Sequence, residues 1–235
     1  MTEIVYESSD LEIFAKATNW KKYWAEKLRP HVKGQVIEVG AGLGTSTKYL
    51  CTEEYPNWLC LDPDPSHVTQ LTRLIDSGDL PGFCEAKTGV LADLNQDFLA
   101  DTILYIDVLE HIEMDEKEMT LATSHLRPGG HVIVLSPAFD FLYSPFDKAV
   151  GHYRRYDKSD APRLTVNDLA LVDVFFLDSI GFIASLTNRL FLKSTMPSAG
   201  QIAMWDRVMI PISKFADIFF GFAFGRSVIM IWRKL

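Results

Sequence analysis

The sequence predicts an α/β fold built around one mostly parallel sheet. Predicted strands alternate with predicted helices over the first two thirds of the chain, which is typical of parallel sheets with connecting helices. The strands are continuous apolar runs, as expected where a sheet is covered on both faces. A glycine-rich turn joins the first strand to the helix that follows it. A chain of 235 residues is long enough for one such domain with a full core.

Each predicted strand of this region is a short apolar or β-branched run bounded by turn residues. The five strands are expected at residues 35–39, 58–61, 83–86, 102–106 and 131–135. Apolar residues spaced three and four apart predict helices at 11–29, 45–50 and 113–126. A further helix is predicted after Ser66, which is its expected N-cap.

The pattern changes after Ser136. Residues 137–163 are polar, aromatic and basic, with little periodicity, which predicts a loop. The remaining elements are predicted as a strand at 170–180, a helix at 181–192, an amphipathic helix at 201–224 interrupted at Pro211, and a last strand at 227–233.

Charge and cysteine usage restrict the class of protein. The net charge of −8 argues against a nucleic-acid partner, which needs a basic face. Three cysteines without metal-ligand spacing predict a reduced, cytoplasmic protein with no metal site. The first residues lack the pattern of a secretory signal. The apolar stretch at 215–232 contains Asp217 and Arg226, so no transmembrane helix is expected.

The turn at 38–44 has the sequence EVGAGLG. Glycines allow positive φ and a close approach of backbone to a ligand, and the next helix offers free N–H groups. Asp62 ends the following strand, where a carboxylate can accept two hydrogen bonds from a ribose diol. The G-x-G-x-G spacing differs from that of dinucleotide binders. The alternative is a structural turn with a solvated loop aspartate.

Five motifs occur in series: VIEVGAGLGT at 36–45, CLDPD at 60–64, GVLADL at 89–94, ILYIDVLEHI at 103–112 and LRPGGHVIVLSPA at 126–138. Together they resemble the class I, Rossmann-like methyltransferases that depend on S-adenosylmethionine (SAM). The resemblance implies a three-layer α/β/α sandwich with seven strands, the last antiparallel. It also implies SAM as the cofactor and S-adenosylhomocysteine as its product.

Residue by residue, the resemblance implies a cofactor site along the carboxyl edge of the sheet. The methionine part would be held by Glu38, Gly40, Ala41, Gly42 and Gly44, the ribose by Asp62 with Pro63, the adenine by Asp93 with Leu94, and the methionine end of the pocket would be lined by Asp107 and Val108. A helix cap or a turn is the alternative role of Asp93 and Asp107. A sulfonium methyl is already activated, so no metal is expected.

The loop after the fifth strand would cover the active site. We hypothesise that His152 is a general base, or orients the acceptor. Arg154 or Arg155 would hold an anionic group, and Tyr156 would position or cover the acceptor. His111 would face the substrate, although a structural histidine is an equal alternative. The arginines could instead pair with aspartates and order the loop; these are Asp140, Asp147, Asp157 and Asp160.

The expected organisation is one methyltransferase domain with four parts: a helical cap at 1–34, a cofactor-binding core at 35–136, a substrate lid loop at 137–165, and C-terminal strands with a helical insertion at 166–235. The lid and the segment before the glycine turn resemble a bacterial subgroup associated with glycan and secondary-metabolite genes. That resemblance implies O-methylation of a hydroxyl or carboxyl on a small molecule.

Several alternatives remain open at this point. They are N- or C-methylation and a non-catalytic SAM-binding module. The acceptor could be anionic or linked to a lipid or glycan. The apolar C-terminal helix is expected to pack on the sheet; peripheral membrane contact and homodimer formation are its alternatives.

Overall fold

A computed structural model describes residues 16–52, 55–166, 168–187, 189 and 198–235. Its strands are β1 (Val36–Val39), β2 (Trp58–Asp62), β3 (Cys84–Thr88), β4 (Ala100–Ile106), β5 (Leu126–Pro137), β6 (Leu169–Leu177) and β7 (Ser227–Lys234). They form one sheet in the order β3-β2-β1-β4-β5-β7-β6. The first five strands pair in parallel, while β7 runs antiparallel to both β5 and β6. The predicted fold class is confirmed.

The helices are α1 (Thr18–Leu28), α2 (Thr45–Leu50), α3 (Pro65–Asp76), α4 (Asp115–Ser124), α5 (Pro145–Ala149), α6 (Ala161–Leu164), α7 (Ser179–Thr187), α8 (Ala199–Met204) and α9 (Ile210–Phe219). Two short helices, α5 and α6, therefore lie in the region predicted as a loop. Of the predicted helices, residues 11–15, 188 and 190–192 lie outside the described residues.

Both faces of the sheet are packed with apolar side chains. Alternate residues of a strand point to opposite faces, and in β4 this places Leu104 in one core cluster and Tyr105 in the other. Trp24 of α1 belongs to the first cluster, and Met119 of α4 to the second. The continuous apolar strands of the sequence therefore reflect burial on both faces.

The start of α3 differs from the prediction. Asp64, not Ser66, is the N-cap, and its Oδ1 accepts a hydrogen bond of 2.7 Å from the Ser66 backbone N–H. Pro65 is the first helical residue; it lacks an N–H and its fixed φ suits that position. The cap therefore lies one residue before the proline, and Ser66 is the residue that it caps.

The predicted interruption at Pro211 is also corrected. A π-helical turn, Trp205–Met209, connects α8 to α9, and the backbone stays helical at Met209 and Ile210. Pro211 lies in the first turn of α9, directly after this wider turn. The π turn changes the hydrogen-bond pattern where the proline has no N–H to offer, so the chain keeps its helical course.

Helix α9 presents apolar side chains to solvent, which are Ile212, Phe215, Ile218 and Phe219. The sequence predicts that this helix packs on the sheet, and peripheral membrane contact or a homodimer through this face are the alternatives. Among the described residues, none of the helices combines the length and the apolar character that crossing a bilayer requires.

Candidate functional site

Four chain segments meet at the carboxyl edge of the sheet, which is where open α/β sheets bind ligands. They are the glycine turn after β1, Asp62 at the end of β2, Asp107 after β4 and the loop after β5. Because β1, β2, β4 and β5 are neighbours and parallel, their ends lie side by side. The topology therefore collects the predicted site residues along one crevice.

The three glycines of the turn all have positive φ: 66° at Gly40, 56° at Gly42 and 74° at Gly44. A Cβ on Gly40 would lie 2.6 Å from a methyl of Val108, and one on Gly44 would lie 2.9 Å from Leu71. A Cβ on Gly42 would meet nothing within 4 Å. Gly40 and Gly44 are therefore needed for packing, whereas Gly42 leaves open space beside bare backbone.

Glu38 stabilises the turn from within the core. Its carboxylate is buried, and Oε2 accepts hydrogen bonds from Thr47 Oγ1 at 2.7 Å and Trp58 Nε1 at 2.9 Å. Burial raises the pKa of Glu38 to about 7, although the two hydrogen bonds oppose the shift. Oε1 has no hydrogen-bond partner among the described residues. Oε1 is therefore the oxygen left for the predicted contact with the methionine part.

Asp62 connects the two turns at the ends of β1 and β2. Its Oδ2 accepts from the Gly42 N–H at 2.8 Å, and Oδ1 accepts from the Asp64 N–H at 2.9 Å and lies 3.0 Å from His67 Nδ1. A carboxylate offers about four acceptor positions. Three are already used, so the predicted pair of bonds to a ribose diol is reduced to about one. His67, one helical turn beyond Asp62, was missed by sequence reasoning.

The adenine residues have mixed outcomes. Asp93 is exposed, but its Oδ2 accepts a hydrogen bond of 2.9 Å from the Val90 N–H, which is the capping role given as the alternative. Leu94 is buried in the core. Ala41 is buried and its N–H donates to Leu61, while Pro63 is exposed beside Asp62. Of the residues predicted near the adenosine, Pro63 and the Oδ1 atom of Asp93 therefore remain available for contact.

Asp107 has a positive φ of 54°, which is uncommon for a residue with a side chain. Its side chain is exposed at the surface of the crevice, but surrounding protein atoms displace water from it, and this desolvation raises its pKa to about 6. The positive charges of His152, Lys21 and Arg226 act to lower that pKa. Backbone strain of this kind clusters at functional sites. Lys21, on α1, is a second residue that sequence reasoning did not find. Val108 packs against Gly40.

The loop after β5 holds His152 against a buried carboxylate. His152 Nδ1 lies 2.9 Å from Asp147 Oδ1, and Arg155 contacts both Asp147 oxygens, at 2.8 and 2.9 Å. Burial would raise the pKa of Asp147, but the bonds from His152 and Arg155 hold it well below its usual range. Because Nδ1 faces Asp147, the ring orientation of His152 is fixed and Nε2 is its other nitrogen.

Two predicted catalytic residues, Arg155 and Tyr156, pair with aspartates of the protein. The Arg155 guanidinium is held by Asp147 in a bidentate pair, which orders the loop and leaves its contact with an anionic group a prediction. Tyr156 is fully buried, and its hydroxyl donates to Asp115 at 2.9 Å. Arg154 likewise pairs with Asp115, at 2.6 Å. Arg155 therefore has one of the aspartate partners that the alternative named, whereas the partner of Arg154, Asp115, was not among them.

His111 lies beside His152, with ring centroids 4.5 Å apart. Burial, together with the nearby His152, lowers the pKa of His111 to about 3, although a hydrogen bond to the Gly151 backbone opposes the shift. Glu110 is buried next to it and accepts a bond of 2.7 Å from Ser136 Oγ, and burial raises the pKa of Glu110 well above its usual value. Glu110 is a third residue missed from sequence.

Residues 37–132 match a family model described as a methyltransferase domain. The chain is 25% identical over 117 residues to a ubiquinone biosynthesis O-methyltransferase of Rickettsia typhi. That alignment covers 48% of this chain and 46% of the relative, so the match spans about half the length of either protein.

Solved structures share the fold over nearly the whole chain. A complex of the Trm112 methyltransferase activator with a methyltransferase, from Haloferax volcanii, gives a TM-score of 0.65 at 13% identity, covering 97% of this chain and 94% of that one. A geranyl diphosphate methyltransferase in complex with SAM gives 0.64 at 11% identity, covering 98% and 92%. A sarcosine dimethylglycine methyltransferase of Galdieria sulphuraria gives 0.61 at 15% identity, covering 92% and 84%.

The residues of the crevice fit SAM. The open space at Gly42 lets bare backbone approach the cofactor, Asp62 keeps about one acceptor position for the ribose, and the strained Asp107 offers a carboxylate where the cationic methionine end is expected. The strand order, the site and the family match agree. Over residues 37–132 the chain matches the methyltransferase domain family, and its sheet has the Rossmann-like fold of the solved methyltransferase structures.

Proposed function

We propose that this chain transfers the methyl group of SAM to an oxygen of a small molecule, either a hydroxyl or a carboxyl. The observation that supports an oxygen acceptor most directly is the His152–Asp147 pair beside Asp107. An imidazole whose Nδ1 is held by a carboxylate presents its other nitrogen as a proton acceptor in a fixed direction. An oxygen acceptor needs such a group when its own proton must leave.

When bound, SAM supplies a methyl group that is already activated by the sulfonium charge. The glycine turn, Asp62 and Asp107 would hold it, and Lys21 and Arg226 balance the charge of Asp107. The protein then has two remaining tasks, which are to align the acceptor with the methyl carbon and to exclude water. The loop held by Arg155 and Tyr156 serves both.

His152 contacts the acceptor hydroxyl in this proposal. With SAM bound, His152 would take the proton of the acceptor hydroxyl as that oxygen is methylated, and would pass it on to solvent. Asp147 keeps the ring in one orientation and stabilises its protonated form. For a carboxyl acceptor that is already ionised, His152 only orients the group.

The acceptor side of the crevice is partly aromatic. Phe139 stacks on Phe176 with centroids 4.7 Å apart and also contacts Phe141, which is half exposed. An apolar or aromatic acceptor fits such a wall. The Rickettsia relative, by its name, acts in ubiquinone biosynthesis. We also propose a cytoplasmic location, supported by three buried cysteines without a disulfide.

Two measurements test the proposal. Calorimetry with SAM and with S-adenosylhomocysteine should show binding, and a screen of hydroxyl and carboxyl acceptors with methyl-labelled SAM should give an O-methylated product. His152→Ala should lower turnover on a hydroxyl acceptor by about 10²–10⁴-fold and leave the SAM affinity nearly unchanged. His31→Ala, far from the crevice, is the matched control and should change neither.

Other results would replace the proposal. Label on nitrogen or carbon would make the enzyme an N- or C-methyltransferase. Cofactor binding without any labelled product would favour a non-catalytic SAM-binding module. Unchanged turnover and unchanged pH dependence in His152→Ala would remove His152 from the reaction.

A further inference from the structure

Three side chains beside the methyl-transfer site converge from two separate segments. Glu110 and His111 lie on the short 3-10 turn Leu109–His111 after β4, and His152 lies in the loop after β5. Each offers one ligand atom, and these atoms all lie within 4.8 Å of one another. We infer that Glu110, His111 and His152 form a binding site for a divalent transition-metal cation of the zinc type.

The donor set suits such a cation. Two imidazoles and one carboxylate, with a position left open, are a frequent ligand set of catalytic zinc and related ions. Ligand atoms at about 2.1 Å from a tetrahedral ion lie about 3.4 Å apart. The ligand atoms of Glu110, His111 and His152 lie at most 4.8 Å apart, so side-chain movements of about 1 Å would bring them to the distances that the ion requires.

Both histidines are oriented as metal ligands usually are. A ligating histidine generally donates its second ring N–H to a carboxylate or a backbone carbonyl. His152 has Nδ1 against Asp147 at 2.9 Å, and the His111 ring is hydrogen-bonded to the Gly151 backbone. One nitrogen of each ring is thus held by the protein, which fixes the direction of the other.

Glu110 provides an independent observation. Its side chain is fully buried, Oε2 accepts from Ser136 Oγ at 2.7 Å, and Oε1 is buried without a hydrogen-bond partner among the described residues. A buried oxygen without a partner is costly and uncommon in native proteins. A cation ligated by Oε1 would supply the missing partner. No metal site was expected from the sequence, because Glu110 and His152 are distant in the chain.

This inference deepens the proposed function and, in its chemical consequence, rests on it. With the cation in place, the acceptor is a hydroxyl-bearing molecule whose oxygen can occupy the open ligand position. The cation lowers the pKa of that hydroxyl, whose proton leaves to solvent water before the carbon–oxygen bond forms. In the metal-bound enzyme His152 would ligate the cation and solvent water would take the proton, a role that falls to His152 only when the cation is absent.

Metal binding to the full-length, EDTA-treated chain tests the inference without reference to activity. Co²⁺ is the probe, because its visible absorption reports histidine ligation, and Zn²⁺ should displace it. We expect one Co²⁺ per chain, with an affinity at least about 100-fold weaker in both Glu110→Gln and His111→Ala. Circular dichroism and SAM calorimetry establish that the variants are folded.

A second histidine pair gives the matched control. His31 and His131 also lie edge to face, with centroids 6.0 Å apart. His131→Gln should keep full Co²⁺ affinity. The inference is overturned if the unmodified chain binds less than a tenth of an equivalent of Co²⁺, if folded Glu110→Gln and His111→Ala bind it as well as the unmodified chain, or if His131→Gln alone abolishes binding.

Failure of the proposed function gives a different pattern. If Co²⁺ binds at one equivalent and is lost in the variants, but no acceptor is O-methylated, the metal site stands and the proposed reaction falls. If an acceptor is O-methylated at full rate by the EDTA-treated chain and no Co²⁺ binds, the reaction stands and the metal site falls.

Discussion

The core that holds the cofactor and the cap that covers it are stabilised by different forces. The core, residues 35–136, is held by apolar strands buried on both faces and by a glycine turn whose packing excludes a Cβ at Gly40 and Gly44. The cap extends beyond the predicted helical cap at 1–34: it comprises α1, the loop at 137–165 and the helices α7 to α9. Apolar residues of α1, α8 and α9 pack into the first core cluster, and buried carboxylates that each accept several hydrogen bonds add a second source of stability.

Asp217 illustrates the cap. It is fully buried in α9 and accepts from the Tyr23 hydroxyl at 2.8 Å and from the backbone N–H groups of Asp178 and Ser179 at 2.8 and 2.9 Å. Asp206 likewise accepts from the Trp20 N–H, 186 residues away in sequence. The comparison indicates that local patterns organise the core, whereas polar contacts between distant segments organise the cap.

The largest expected effect tests the cap directly. Asp217→Asn should lower the free energy of unfolding by about 3 kcal/mol, because the amide places an N–H₂ group among three buried donors and leaves at least one of them unpaired. Urea denaturation monitored by circular dichroism measures the change.

The exposed pair between Glu26 and Lys214, at 3.3 Å, supplies the control for Asp217. Glu26→Gln should change the stability by less than about 1 kcal/mol, as surface ion pairs do. If Asp217→Asn and Glu26→Gln lowered the free energy of unfolding by the same amount, buried carboxylates would not stabilise the cap more than exposed ones do.

A pair of substitutions in the core separates packing from cofactor binding. Gly40→Ala should cost about 2–3 kcal/mol of stability, since it combines left-handed strain with a contact of 2.6 Å to Val108. Gly42→Ala meets no neighbour, so it should cost about 1 kcal/mol from strain but weaken SAM binding at least about tenfold. Urea denaturation measures the loss of stability, and calorimetry measures the affinity for SAM. A Gly42→Ala variant that binds SAM normally would contradict the prediction that the cofactor contacts the backbone at Gly42.

The smallest expected effect is a dependence of stability on pH. Burial would raise the pKa of Asp115, but hydrogen bonds from Arg163, Arg154 and Tyr156 lower it from 3.8 to about 2. The pKa is lowered in the folded state, so the stabilisation is present above pH 4 and is lost as the pH falls toward 2. It amounts to about 2 kcal/mol.

The difference in unfolding free energy between the unmodified chain and Asp115→Asn isolates this contribution from other carboxylates. That difference should shrink between pH 5 and pH 2.5. A difference that stays constant with pH would show that the Asp115 pairs do not stabilise the folded loop.

The core could be predicted from sequence because its determinants are local. Apolar runs and glycines mark the strands and the turn, and Asp62 follows its strand directly. The ribose role assigned to Asp62 was too simple, since Gly42, Asp64 and His67 already use most of its acceptor positions. Those contacts depend on how two neighbouring turns face each other, which a strand pattern does not encode.

The lid was predicted with less success. Its richness in histidine, arginine, tyrosine and aspartate indicated a functional or ordered loop, but the choice between substrate contact and internal pairing stayed open. In the structure Arg155 pairs with Asp147 and Tyr156 donates to Asp115, so internal pairing is what the contacts show. A charged residue in a loop has many partners within reach, and its sequence position does not select one.

By itself, the sequence determined the sheet and the glycine turn, because periodicity, glycine and strand ends are properties of neighbouring residues. Tertiary structure alone brought Lys21 toward Asp107, and Glu110 and His111 against His152. These groups come from elements far apart in the chain, and their proximity follows from how α1 and the lid loop pack over the carboxyl edge of the sheet. The chemistry of the acceptor site is therefore set by packing that no local pattern contains.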